Sequence, residues 1–486
     1  MNPTFISSLE PRSVWAHFDR LCAIPRPSKQ EAALRENLLA WAKDQGLSSQ
    51  VDSAGNLILS KPASPGCETA PGVVLQGHLD MVCQKNTGTA HDFLRDPIRP
   101  LLDNGWLRTP DTTLGADNGI GVALALAAME AHNLVHPALE VLLTVDEEAG
   151  MGGARSLAPG SLNGRRLINL DTEEWGQFYL GCAGGMDVES HRSCQRESLP
   201  PDFVLWQIRV EGLIGGHSGI DIHRSRGHAL RLLLESVATL AEEGDARLVD
   251  MAGGTARNAI PREALATIAL PAKFDPASLM ERHFSAWRET LAGVDPGIHL
   301  VWHAVELTEC QALTRPDQAA VLSFLLGAPQ GVTAWSPDFP GVVETSLNLG
   351  VLNLSGQSCE AVFMVRSLVD QAGHELADQL LKRAAAQGFQ AVKRGPYPGW
   401  KPNPESALLA LARRVHAREF NAEPGLQVIH AGLECGLLAA SHPDLDMLSF
   451  GPDIRGAHAP GEAVEIQSVE RCWRLLQAIL QELGRT

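Results

Sequence analysis

Residues 77–80 read Gly-His-Leu-Asp and close a short apolar run that begins at Val73. In an extended chain the side chains of residues i and i+2 point the same way, so His78 and Asp80 share a face. That pairing suits a metal site, because a neutral imidazole ligates through one nitrogen and gives its other N–H to a carboxylate. A purely structural His–Asp pair satisfies the same spacing, and the stretch alone leaves both readings open. Further on, "TTLGADNGIG" sets Asp117 between glycines just ahead of a helical pattern. It reads either as a helix cap or as a ligand kept ionised by the positive end of the helix. "LEVLLTVDEEAGM" ends an apolar strand in Asp146, Glu147 and Glu148, and "RLINLDTEE" ends another in Asp171. Acids at the end of a buried strand are costly unless cations or protons compensate them. Functional groups of open α/β sheets collect outside the carboxyl ends of the strands, which is where these residues fall.

The elements that must hold these residues follow from periodicity. "SKQEAALRENLLAWAKDQG" predicts a helix with Ser28 and Glu31 as a capping box, Leu34, Leu38 and Trp41 on one face, and Gly46 as the stop. The runs "NLILS", "GVVLQ", "LEVLLTV" and "RLINL", alternating with the helix-like "NGIGVALALAAMEAHNL", indicate a mostly parallel sheet flanked by helices. After "GCAGG" the pattern changes to alternating strands such as "VLWQIRV" between amphipathic helices. One of these, "SLMERHFSAWRETL", has Ser278 and Glu281 at capping-box spacing and Met280, Phe284, Trp287 and Leu291 in a stripe. The reading is an α/β domain formed by 1–185 and 395–486, interrupted by an inserted α+β domain over 186–394.

A chain of 486 residues is long enough for about two or three domains. Its formal net charge of −17 repels phosphate backbones and anionic lipid, which argues against nucleic acid or a membrane as partner and leaves acidic clusters free to hold cations. The cysteines at 22, 67, 83, 182, 194, 310, 359, 435 and 472 are scattered without a CxxC pair and read as free thiols of a reducing compartment. The opening "MNPTFISSLEPRSVW" has no basic stretch followed by an apolar core, and no run of 18 apolar residues occurs. A cytoplasmic protein is expected.

Together "GHLDMV", "LGADNGIG", "TVDEEAGM", "NLDTEE" and "CAGG" resemble the M20 family of dinuclear zinc peptidases, and the likeness continues through "GGHSG", "RNAIPRE", "YPGW", "HAGLECG" and "GPDIRGAHAPGE". One departure is visible, since "HAPGE" stands where the family usually has "HSPDE"; His458 and Glu462 are retained. The resemblance implies a zinc-peptidase catalytic domain with an inserted lid and dimerisation domain. It makes His78 and Asp171 terminal ligands, Asp117 the bridge, and Glu148 and His458 the remaining ligands, with Glu147 as general base and Asp80 orienting His78. It further assigns His217 and Asn258 to the oxyanion, Arg366 to the substrate carboxylate, and Glu434 to the substrate amine. By residue type alone, His217 reads as a turn residue, Asn258 as a turn cap and Arg366 as a surface charge.

The implied activity is hydrolysis of dipeptides, preferentially Xaa-His, by a water activated between two Zn²⁺ per subunit, with Co²⁺ or Mn²⁺ able to substitute. The implied assembly is a homodimer through the inserted domain. Alternatives are an M20 deacylase of N-acyl amino acids and a catalytically silent metal-binding protein. The long insert and "HAGLECG" favour the dipeptidase, and retention of Glu147 and Asp80 argues against the silent protein. Ser218 beside His217 lacks the GxSxG turn of a serine hydrolase.

Overall fold

The computed structural model describes residues 5–306 and 310–485; residues 1–4, the start of the N-terminal stretch read above, lie outside it, as do 307–309 and 486. The described residues divide into two compact units. One comprises Met1–Gly181, Trp400–Val428 and Leu433–Thr486, the other Cys182–Gly399 with Ile429–Gly432. No helix among them is long and apolar enough to cross a membrane.

The first unit is built on an eight-stranded sheet. Its strands are β1 (Ser48–Val51), β2 (Leu57–Lys61), β3 (Val73–His78), β4 (Leu139–Thr144), β5 (Arg166–Asn169), β6 (Gln177–Cys182), β7 (Gly425–Ile429) and β8 (Asp446–Ser449). Their spatial order is β1-β2-β4-β3-β5-β8-β6-β7. The central β4, β3, β5 and β8 run parallel. β2, from the "NLILS" run grouped above with the parallel strands, instead pairs antiparallel with β4 and with β1. β3 and β4 are buried along their whole length, as strands covered on both faces must be.

Among the helices against this sheet are α1 (Arg12–Ala23), α2 (Ala32–Asp44), α3 (Ala116–Glu130), α4 (Ala407–Phe420) and α5 (Ile466–Gly484). Small and apolar all round, α3 is buried on every side, and it shares a core with Trp15, Phe18, Leu143 and Leu476. Its start lies hard against the strand ends. A Cβ on Gly77 would come within 2.3 Å of the Asn118 amide oxygen, and one on Gly121 within 2.2 Å of the Leu170 carbonyl. Only glycine permits that approach.

The expected capping box of α2 does not form. The helix begins after Glu31 with no side-chain cap; Ser28 donates to the Asp80 carboxylate at 2.7 Å, and Glu31 accepts the Asp146 amide at 2.9 Å. Likewise Ala277–Leu291 starts after Pro276, its first amide accepted by Asp275 at 3.0 Å, so that Ser278 lies inside the helix; of the expected stripe Met280, Trp287 and Leu291 are buried and Phe284 is half-buried.

The second unit carries a nine-stranded sheet, with antiparallel pairing between strands such as Phe203–Glu211 and Ala264–Pro271, and between Val343–Ser355 and Ser358–Ser367. Helices Ala229–Gly244, Ala277–Leu291, Arg315–Gly327 and Asp370–Ala386 contribute to its core around Leu233, Leu248, Phe324 and Phe363.

Candidate active site

β3 ends in His78, which is 1% exposed. Its Nδ1 lies 3.2 Å from the Asp80 backbone oxygen and 3.4 Å from the Asp80 carboxylate, so Asp80 faces the imidazole with both groups. The fully buried Asp80 also accepts the amides of Glu147 and Glu148 at 3.0 and 3.1 Å, which fixes the turn after β4 to the turn after β3. In that turn Asp146 adopts a left-handed φ of 57°, uncommon for a residue with a side chain, and the chain reverses there to present the two glutamates.

At the start of α3, Gly115 takes the N-cap position and Asp117 falls within the first turn with a non-helical ψ of 115°, so Asp117 is not the helix cap. The Asp117–Asn118 peptide is cis. Asn118 ties this start to two strand ends, accepting the His78 amide at 3.3 Å and donating to the Leu170 carbonyl at 2.6 Å.

Asp117 occupies the middle of the donor set. Its Oδ1 lies 3.2 Å from His78 Nε2, which is itself 3.6 Å from Asp171 Oδ1. Its Oδ2 lies 3.2 Å from His458 Nε2, which is 3.1 Å from Glu148 Oε2. His458 has a left-handed φ of 66°. The other Glu148 oxygen is buried without a hydrogen-bond partner. A buried anionic oxygen without a donor, in a cluster of imidazoles and carboxylates, is what a divalent cation satisfies. His78, Asp117 and Glu148 offer ligand atoms within 4.8 Å of one another. The residues present therefore fit a metal centre, and the donor set of nitrogen and oxygen without thiolate suits Zn²⁺, Co²⁺ or Mn²⁺.

The electrostatics agree. Burial disfavours the imidazolium of His78, yet Asp171, Asp117 and Asp80 outweigh it and hold the pKa well above the ordinary value. Hydrogen bonds to Asp117 and Glu148 push His458 up to about 11. Burial raises Asp171 to about 6 and lifts Glu147 well above the carboxylate range. This much carboxylate strongly favours cations, whether protons or metal ions.

Beneath the site runs a buried polar chain. Asn169 on β5 donates to Gln76 on β3 at 2.5 Å, and Gln76 donates to Glu434 at 2.7 Å, as does Thr144 on β4 at 2.6 Å. Glu434 is 1% exposed, and burial pushes its carboxyl to about 7.

His217, Asn258 and Arg366 lie together in the second unit. Ser218 donates its amide to the Asn258 carbonyl at 2.8 Å, and the Asn258 side chain is exposed. Arg366 is not a surface charge: it is 4% exposed, donates to the Tyr397 hydroxyl at 2.9 Å, and has no carboxylate within ion-pair distance among the described residues. His217 caps its own turn, Nδ1 accepting the amides of Gly219 and Ile220 at 3.1 Å. That fixes the tautomer with hydrogen on Nε2. Burial and the nearby Arg366 lower its pKa to about 4, so the ring is neutral, with Nε2 lying 3.3 Å from Arg366 Nη2. His430, from "HAGLECG", bonds Ser346 at 2.8 Å in the same unit and was not singled out by residue type or spacing. All nine cysteines are free and none enters the donor set.

The sequence from residue 74 to 482 matches peptidase family M20/M25/M40, and the chain belongs to that family, as an enzyme of the metallopeptidase class whose members use divalent metal. Its relatives include the cytosol non-specific dipeptidase of Escherichia coli (strain K12), 44% identical over 98% of this chain and 99% of that protein. The crystal structure of aminoacylhistidine dipeptidase from Vibrio alginolyticus superimposes with a TM-score of 0.92 at 42% identity, covering 98% of each chain. Aminopeptidase PepT from Bacillus cereus shares the fold at a TM-score of 0.56 and 16% identity, covering 98% of this chain and 99% of that one.

Proposed function

We propose that this protein is a dipeptidase that takes Xaa-His peptides among its substrates and uses two divalent metal ions, zinc by preference. The observation that carries the reading is the division of Asp117, one oxygen facing His78 and Asp171 and the other facing His458 and Glu148. When bound, metal at these donors supplies Lewis acidity toward the scissile carbonyl and lowers the pKa of water.

The remaining work falls to the chain's own side chains. Glu147, whose side chain has no ion-pair or hydrogen-bond partner among the described residues, takes a proton from the attacking water and delivers it to the leaving nitrogen. Asp80 holds His78 in one tautomer and fixes the amides of both glutamates. The neutral Nε2–H of His217 and the exposed amide of Asn258 donate to the oxyanion. Arg366, a buried guanidinium without an anion, pairs with the free carboxylate of the substrate, which restricts cleavage to short peptides. The second unit, as lid and dimerisation domain, brings these groups into use in a homodimer. The free cysteines and a relative named for the cytosol support a cytoplasmic location.

The test is a substrate panel run after chelation and controlled remetallation with Zn²⁺, Co²⁺ or Mn²⁺. β-Alanyl-histidine and other free dipeptides should be cleaved only with metal present, and C-terminally amidated dipeptides poorly. Equal turnover of N-acetyl amino acids would favour the deacylase, and full activity without metal would end the reading.

A further inference from the structure

Glu462 is 2% exposed and comes from the turn that carries His458. Its carboxylate accepts backbone N–H groups from four consecutive residues: Oε2 from Leu114 at 2.7 Å and Gly115 at 2.9 Å, Oε1 from Ala116 at 2.8 Å and Asp117 at 3.2 Å. These lead into α3, where amides lack partners inside the helix. An ordinary cap meets one or two of them from the adjoining residue. Here one carboxylate takes all four from 345 or more residues away.

The same loop is held from its other side. Arg26, 3% exposed, donates to the carbonyls of Leu79 at 2.9 Å, Asp80 at 2.8 Å and Gly115 at 2.5 Å. It makes no ion pair with a carboxylate among the described residues. Residue Gly115 therefore lies between two buried charges, its N–H on Glu462 and its carbonyl on Arg26. Gly115 has φ of 71°, and a Cβ there would come within 2.5 Å of the guanidinium and 2.9 Å of Met81 Sδ, so the position admits only glycine. The turn is further tied by the Gly461 amide to the Thr112 carbonyl at 3.1 Å. Arg26 and Glu462 thus connect the segment following His78, the segment bearing Asp117 and the turn bearing His458.

We propose that Glu462 and Arg26 are positioning residues that set the Asp117 carboxylate at a fixed place between His78 and His458, and that metal affinity depends on them. The inference rests on the metal-centre reading above. Capping the loop and placing two ligands are one event, because the carboxylate that organises the Asp117 loop is four residues from His458. Glu462→Gln keeps the shape but replaces one acceptor oxygen by an NH₂ that meets backbone N–H groups head-on, so the loop must shift. Glu462→Asp keeps the charge and withdraws it by one methylene. Arg26→Met keeps apolar bulk and frees three carbonyls.

The experiment is titration of metal-free protein with Co²⁺, read by chelator competition and by the visible ligand-field bands, with thermal unfolding of the metal-free forms alongside. Wild type should bind two equivalents, and His78→Ala should lose at least one. Glu462→Gln and Arg26→Met should bind roughly 10- to 100-fold more weakly with altered Co²⁺ bands, and Glu462→Asp should restore part of the affinity. Wild-type affinity and spectrum in Glu462→Gln would overturn the proposal however much stability that variant lost, since a merely structural cap alters unfolding alone. Should Glu462→Gln fail to fold, Glu462→Asp carries the same criterion. If wild type takes up no metal, the metal-centre reading falls and this inference with it.

Discussion

Glu147 and Glu148 are neighbours with different surroundings. Glu148 turns one oxygen to His458 and keeps the other buried without a donor, whereas the Glu147 side chain has no partner among the described residues. We expect Glu147→Gln to retain the metal content of wild type and lose turnover by about 10³-fold or more, whereas Glu148→Gln and His78→Ala lose metal as well. Metal analysis beside steady-state kinetics decides it, and equal metal loss in all three variants would contradict the division of labour. At this scale, residue type and spacing showed His78 with Asp80 and the acids after the strand ends, because extended geometry is local. The partners of Ser28, Glu31, Arg26 and Glu462 were not legible. Ser28 and Glu31 have capping-box spacing but bond to Asp80 and Asp146, 52 and 115 residues away, and spacing within one helix cannot report a bond of that span.

Among the elements, helix Ala229–Gly244 begins on an unusual cap, the His228 side chain, whose Nδ1 accepts the Arg231 amide at 3.2 Å while Nε2 donates to the Leu349 carbonyl at 3.0 Å. Burial, opposed by the bond to Leu349, lowers its pKa to about 4, so the folded ring is neutral. An unfolded histidine titrates near 6.5, and the stability from His228 is full above that pH and is lost as pH falls toward 4. Urea unfolding at pH 7.5 and pH 5 should differ by about 2 kcal/mol from this residue. His228→Ala should cost about 1–2 kcal/mol at pH 7.5 through loss of the cap and flatten the pH dependence; an unchanged slope would refute the assignment. The apolar runs "GVVLQ" and "LEVLLTV" of the first unit announced its strands because burial on both faces selects continuous Val, Ile and Leu, as in β3 and β4. Strand direction was less legible. β2 opens on the buried run Leu57–Leu59, like the parallel strands, and only its hydrogen-bonded register shows that it runs antiparallel to β4.

For the molecule as a whole, the five candidate ligands all belong to the first unit, and a ligand that binds only the folded state stabilises the region that binds it. Adding Zn²⁺ to metal-free protein should therefore slow amide exchange around residues 76–80, 114–120, 144–148 and 454–462, with little direct effect in the strands Val343–Ser355 and Ser358–Ser367; protection confined to the second unit would place the metal elsewhere. The sheet of the first unit has one further consequence. β8, from residues 446–449, lies between β5 and β6, which are complete by residue 182. At about 5–20 residues per second, a ribosome needs on the order of ten seconds to a minute to span that interval. Throughout it, the growing chain carries two strands with open edges that invite pairing with other chains. Most of the second unit is synthesised during this wait, as an almost continuous segment able to fold before its host is finished. His458 emerges later still, so a nascent chain cannot gather the full ligand set early, and metal loading belongs to the end of synthesis. A chain cut short before residue 446 lacks β8 and the last histidine, and such fragments are work for chaperones and proteases rather than a source of partial activity.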